Sequence, residues 1–82
     1  DTYTFMLILD HAPSDEQLDA LFEAGCDDGS FGLSNGVPFA DFDREASTLG
    51  EAVLSAIADV ESVPGMRVVR VEPDDLVTAT ER

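Results

Sequence analysis

The tetrapeptide Ser34-Asn35-Gly36-Val37 constrains this chain more than any other stretch. Asn-Gly at the centre of a two-residue loop favours a type I′ turn, because both residues tolerate positive φ, and such a turn closes a β-hairpin. The turn also fixes the register. Leu33 faces Pro38, Phe31 faces Ala40 and Gly29 faces Phe42 on one side of the ribbon. Gly32 faces Phe39 and Ser30 faces Asp41 on the other. Two adjacent antiparallel strands therefore occupy the middle of the chain, and the flanking segments must pack around them.

Those flanks divide cleanly. Thr2 to Leu9 is β-branched, aromatic and aliphatic, with apolar residues on both parities, and reads as a central, nearly buried strand. Ser14 with Gln17 forms a capping box, Asp15 and Glu16 suit a helix N-terminus, and Leu18, Leu21 and Phe22 make an apolar stripe. The spacing predicts a helix from Asp15 to Ala24, with Gly25 in the left-handed position beyond it. Thr48 with Glu51 predicts a second capping box. Leu49, Val53, Ala56, Ile57 and Val60 then follow helical spacing to about Ser62. Pro64-Gly65 turns the chain into a last strand from Met66 to Glu72.

The order β, α, β, β, α, β with right-handed crossovers predicts an α+β, ferredoxin-like fold: a four-stranded antiparallel sheet with both helices on one face. The first and third strands lie centrally. Residues 1–73 form that domain. Residues 74–82 read as a linker and the start of a further helix, since Thr78 with Glu81 is again a capping-box pattern, and the expectation is that the native chain continues into a helix-turn-helix.

A length of 82 residues allows one domain with a modest core. No apolar run is long enough for a bilayer-spanning helix. Charge is lopsided: 18 Asp and Glu stand against four Arg and no Lys, for a net charge of −14. Such a surface repels nucleic acid and anionic lipid, so this piece alone is expected to bind neither, and it suits a basic protein partner. A GC-rich genome or a salt-adapted host would leave the same imprint. The single cysteine, Cys26, excludes an internal disulfide and fits a reducing cytoplasm.

Several stretches resemble the N-terminal part of short, mainly actinobacterial helix-turn-helix proteins known as DNA-binding or regulatory. They are Tyr3-Thr4-Phe5, the segment Leu21-Phe22-Glu23-Ala24-Gly25-Cys26-Asp27-Asp28, the segment Phe42-Asp43-Arg44-Glu45-Ala46, and the run from Val53 to Glu61. Asp74-Asp75-Leu76-Val77-Thr78, which in that family leads into the helix-turn-helix, belongs with them. The resemblance implies a ferredoxin-like front domain that senses or pairs, ahead of a DNA-reading rear domain. It carries no catalytic or ligand residues over.

No reactive constellation emerges from the residues themselves. Cys26 follows a helix C-terminus and precedes Asp27 and Asp28, all of which oppose a thiolate, so a packed thiol is favoured over a nucleophile. His11 beside Asp10 is a loop pair without a visible substrate pocket. The hairpin register sets Asp28 opposite Asp43, with Asp27, Asp41 and Glu45 nearby. A hard cation would fit there, but the spacing matches no calcium loop, Arg44 offsets the repulsion, and a solvated acidic edge is favoured. No cofactor or metal site is expected, and the chain reads as a non-catalytic domain.

The expected site is a surface. With Phe31, Leu33, Ala40 and Phe42 assigned to the helices, Met6, Ile8, Val37 and Phe39 share the open side of the sheet. A contiguous exposed apolar patch there marks an interface, most simply a two-fold homodimer with facing sheets. Alternatives are a stand-alone small-ligand module with a pocket between sheet and helices, and an acidic protein holding a basic partner.

Overall fold

The structure, a computed structural model, describes residues 1–72. The expected linker and helix start at 74–82 lie outside the described residues. The elements are β1 (Thr2–Leu9), α1 (Asp15–Glu23), a 3-10 turn (Cys26–Asp28), β2 (Gly29–Ser34), β3 (Val37–Glu45), α2 (Leu49–Glu61) and β4 (Val68–Glu72). The strands form one antiparallel sheet in the order β2-β3-β1-β4, so β1 and β3 are central as expected. This is the α+β ferredoxin-like arrangement.

The hairpin forms in the anticipated register, from Gly29↔Phe42 to Ser34↔Val37. Asn35 and Gly36 both take positive φ, 53° and 80°, as a type I′ turn requires. At α1 the capping box is complete. Ser14 Oγ accepts from the Gln17 N–H, and Gln17 Oε1 accepts from the Ser14 N–H. At α2 only half of it forms: Thr48 Oγ1 accepts from the Glu51 N–H, and the Glu51 carboxylate makes no return bond.

The core lies between the sheet and the two helices. Phe5, Leu7 and Leu9 of β1 meet Ala40 and Phe42 of β3, Leu21 of α1, and Ala52, Val53, Ala56 and Val60 of α2. Phe5 and Phe42 stack with ring centroids 5.7 Å apart, and Phe31 meets Phe42 edge-on at 6.3 Å.

Two expectations need correction. The last strand begins at Val68 rather than Met66. The Met66 N–H is bonded to the Val63 carbonyl in the turn, and the Met66 side chain, 2% exposed, plugs the core before the strand starts. Leu33 shares the helix side of the sheet with Phe31, Ala40 and Phe42 but is 62% exposed. It sits one pair from the hairpin tip, where it lines a shallow depression with Ala12 and Pro13 of the β1–α1 loop and Leu18 of α1.

Candidate interaction face of the sheet

The strand alternation that sends Phe5, Leu7, Ala40 and Phe42 to the helices sends their neighbours to the bare face. Thr4, Met6 and Ile8 of β1 lie there beside Asp43, Asp41 and Phe39 of β3. Glu72 and Arg70 of β4 flank Met6 and Ile8, and Gly32 and Ser34 of β2 flank Phe39 and Val37. The four expected site residues are thus brought together. Their exposure is uneven. Val37 is exposed, Met6 and Phe39 are half-buried, and Ile8 is only 8% exposed. Ile8 is paired with Phe39 on one side and Arg70 on the other, two long side chains that close over it, which the alternation pattern could not foresee.

Phe39 lies over Gly32 as its pairing requires. A Cβ at position 32 would stand 3.0 Å from the Phe39 ring. Two shallow depressions of about 330 Å³ each open beside Met6. One is bounded by Thr4, Phe5, Asp41 and Glu72, the other by Ile8, Ser34, Val37, Phe39, Arg70 and Glu72. The face is graded from end to end. The apolar set lies toward the hairpin tip, and Asp41, Asp43 and Glu45 follow one another toward the far end of β3. Thr4 Oγ1 donates to Asp43 Oδ1 at 2.8 Å, and Arg70 Nε donates to Glu72 Oε1 at 2.7 Å.

The helix side holds the chain's main ionic assembly. Asp28 and Asp43 do not face each other across a cation site. Asp28 sits in the 3-10 turn and is drawn to Arg44 under the helices, while Asp43 points to the open face, so the sheet separates them. Among the described residues no group of three or more acidic, His or Cys side chains is placed to hold a metal ion.

Arg44 Nε and Nη2 bond both oxygens of Asp28 at 2.8 and 2.9 Å. Nη1 bonds Asp59 Oδ2 and Ser55 Oγ, and Nη2 also bonds the Gly25 carbonyl. All five N–H donors of the guanidinium are therefore used. Its carbon lies 5.2 Å from the centre of the Phe42 ring. The Arg44 hydrogen bond and charge hold the Asp28 carboxyl below its ordinary range, and the Asp28 and Asp59 carboxylates raise Arg44 in turn. Sequence reasoning placed Arg44 near the acids but missed Asp59, Ser55 and the Gly25 carbonyl. The signal available was a lone Arg on the buried parity of β3.

Cys26 is fully buried. Burial first, and then the Asp59 carboxylate, push its thiol up to about 11, which suits a packed thiol and opposes a nucleophile at neutral pH. His11 Nδ1 lies 2.8 Å from Asp10 Oδ1 and Nε2 lies 3.3 Å from Gln17 Oε1, on an exposed loop. Cys26 adjoins the Arg44 assembly, whose Asp59, Arg44 and Asp28 charges act on its thiol, while the His11 pair follows the opposite end of β1 from the Tyr3–Arg44 pairing.

Family models, curated proteins and solved structures were compared with the chain, and none matches. No described helix is long and apolar enough to cross a membrane.

Proposed function

We propose that this chain is a non-catalytic association domain, the pairing or sensing half of a small cytoplasmic helix-turn-helix DNA-binding regulator, and that it meets a protein partner through the open face of its sheet. The observation that carries the reading is the strip of Met6, Ile8, Val37 and Phe39 on a face whose remaining described groups are carboxylates, hydroxyls and the Arg70 guanidinium paired with Glu72. Apolar centres with polar borders are the anatomy of protein interfaces. The regulator assignment rests on the sequence resemblance alone.

A second copy fits this face when its strands run antiparallel to those of the first. The dyad then passes through the apolar end, and the rows Asp41, Asp43 and Glu45 of the two copies point away from each other. A basic amphipathic segment is the second reading. It is favoured by the same three carboxylates and by Glu72 beside Met6, which would pair with Lys or Arg around an apolar anchor. That contact is the kind an antitoxin makes with a basic toxin.

Sedimentation of the chain and of Val37→Asp and Phe39→Asp, with and without a Lys/Leu amphipathic peptide, tests the face. Loss of self-association or of peptide binding in both folded variants supports it. Self-association and peptide binding both unchanged in Val37→Asp refute it, and a Phe39→Asp chain that unfolds returns Phe39 to the core. The regulator reading is tested on the gene: a helix-turn-helix encoded directly after Arg82 supports it, and a stop codon there overturns it.

A further inference from the structure

The two edges of the sheet are unequally defended. An exposed edge strand offers unpaired N–H and C=O groups to any other strand, and proteins blunt such edges with charges, bulges or covering groups. Edge β4 carries all three. Arg70 and Glu72 lie on it, its register with β1 shifts between Ile8 and Leu9, and its first amide, Val68 N–H, is taken by Glu61 Oε2 at 3.0 Å. Edge β2, with the sequence Gly-Ser-Phe-Gly-Leu-Ser, has no charge, no proline and no bulge.

Its outward groups follow from the hairpin. Ser34 and Val37 close the type I′ turn and exchange hydrogen bonds, as do the alternate pairs Gly32–Phe39 and Ser30–Asp41. Gly29, Phe31 and Leu33 therefore turn their N–H and C=O groups away from β3. Beside that edge lies a groove of about 230 Å³ lined by Ala12, Pro13, Leu18, Phe31, Gly32 and Leu33. Leu33 is 62% exposed, and Phe22, which meets Phe31 edge-on at 6.3 Å, is 48% exposed.

We infer that β2 is a pairing edge for a second copy of this chain, the two β2 strands running antiparallel about a dyad at Phe31. The inference assigns self-association to this edge and leaves the open face to a basic partner, so it competes with the face-to-face dimer proposed above and is compatible with the second reading. The strand's self-complementarity selects the occupant, and charge selects the place. Two chains at −14 each can approach closely only where carboxylates are missing, and β2 is the edge that lacks them. The outward triplet fixes the register: Phe31 opposite the partner's Phe31, and Leu33 opposite the partner's Gly29. In that register Asp28, already neutralised by Arg44, stands opposite the partner's Ser34, so no like charges oppose each other along the strand. Leu33 covers a glycine, the groove receives apolar side chains from the partner, and the two sheets join into one. Asp19 and Glu23, exposed near Phe22 on α1, are the like charges this pairing brings to one side. Salt should therefore tighten it.

The test is sedimentation equilibrium of the 82-residue chain at about 0.15 M NaCl and above, where the Debye length is about 8 Å or less. Leu33→Pro removes one outward N–H that β3 does not use, and proline is tolerated at such an edge position. The wild type should be a dimer that tightens with salt, with the Phe31 and Leu33 amides slow to exchange in proportion to chain concentration. Leu33→Pro should be a folded monomer by circular dichroism, and Leu33→Lys should weaken the dimer. Val37→Asp, altered only on the open face, should leave the edge dimer intact. A wild-type chain that is monomeric at high micromolar concentration, or a dimer that persists in folded Leu33→Pro, overturns the inference. Loss of the dimer in Val37→Asp but not in Leu33→Pro assigns self-association to the open face and overturns it equally.

Discussion

Arg44 holds Asp28 through both carboxylate oxygens, Nε to Oδ2 at 2.8 Å and Nη2 to Oδ1 at 2.9 Å, and ties the 3-10 turn before β2 to the C-terminal end of β3. The same guanidinium reaches Asp59 and Ser55 on α2 and the Gly25 carbonyl after α1. One side chain thus joins both helices to the sheet. Arg44→Ala should cost about 2–4 kcal/mol in urea unfolding, because it strands two carboxylates and a carbonyl and removes the group packed on Phe42. The partners' side chains are 30% and 32% exposed, which keeps the loss below that of a fully buried pair. Arg44→Lys should recover less than half of it, since a point charge cannot reproduce the fork. A Lys variant as stable as the wild type would show that charge alone matters.

The Asp28 contact also sets a response to acid. Asp28 is held below its ordinary value of 3.8, chiefly by the Arg44 hydrogen bond. A carboxyl lowered by folding stabilises the native state fully above its unfolded value and loses that contribution as pH falls through its folded value. The stability gap between wild type and Asp28→Asn should therefore be constant from neutral pH to about pH 5 and close progressively below about pH 4. Urea midpoints measured along that series check it, and a gap that stays fixed to the most acid point would disprove the coupling.

How much of this was legible beforehand differs by residue. The hairpin register and the α1 start were readable because Asn35-Gly36 and Ser14–Gln17 act through backbone geometry within four residues. The strand order followed from connection handedness. Three features depend instead on how separate elements are phased. Arg44 meets Asp59 only because α2 crosses above β3 with that face down. Ile8 is covered only because its neighbours on both strands carry long side chains. Leu33 is bare only because the hairpin outruns the helix layer. None of these has a local signal, so the parity of the surface residues was readable while the burial of Ile8 and the exposure of Leu33 were not.

Charge density makes a separate prediction. With 18 carboxylates and four guanidinium groups, one of them enclosed by Asp28 and Asp59, the remaining surface is dominated by like charges. Folding compresses them, and salt relieves the repulsion over a Debye length of about 10 Å at 0.1 M. Melting temperature should rise by about 5 °C between about 0.05 and 0.5 M NaCl. Leu33→Pro is the variant to use, because it removes salt-driven pairing. A flat curve would mean that the exposed acids are too dispersed to interact.

Two glycines on β2 meet aromatic rings on β3 at nearly the same distance, yet their substitutions should differ sharply. A Cβ on Gly29 would stand 2.9 Å from the Phe42 ring, and one on Gly32 would stand 3.0 Å from the Phe39 ring. The rings differ in freedom. Phe42 is fully buried, stacked on Phe5, met edge-on by Phe31 and approached by the Arg44 guanidinium, so any displacement propagates into the core. Phe39 lies on the open face and can rotate away from a methyl group at small cost. Gly29→Ala should destabilise by about 2–3 kcal/mol, the range for overpacking a tight core. Gly32→Ala should change stability by less than about 0.5 kcal/mol, since alanine's smaller loss of backbone freedom in a strand offsets the crowding. Urea unfolding of the two variants side by side decides the matter. Equal losses would mean that Phe39 is as firmly held as Phe42, and the open face would then be a second packed layer rather than a surface free to receive a partner.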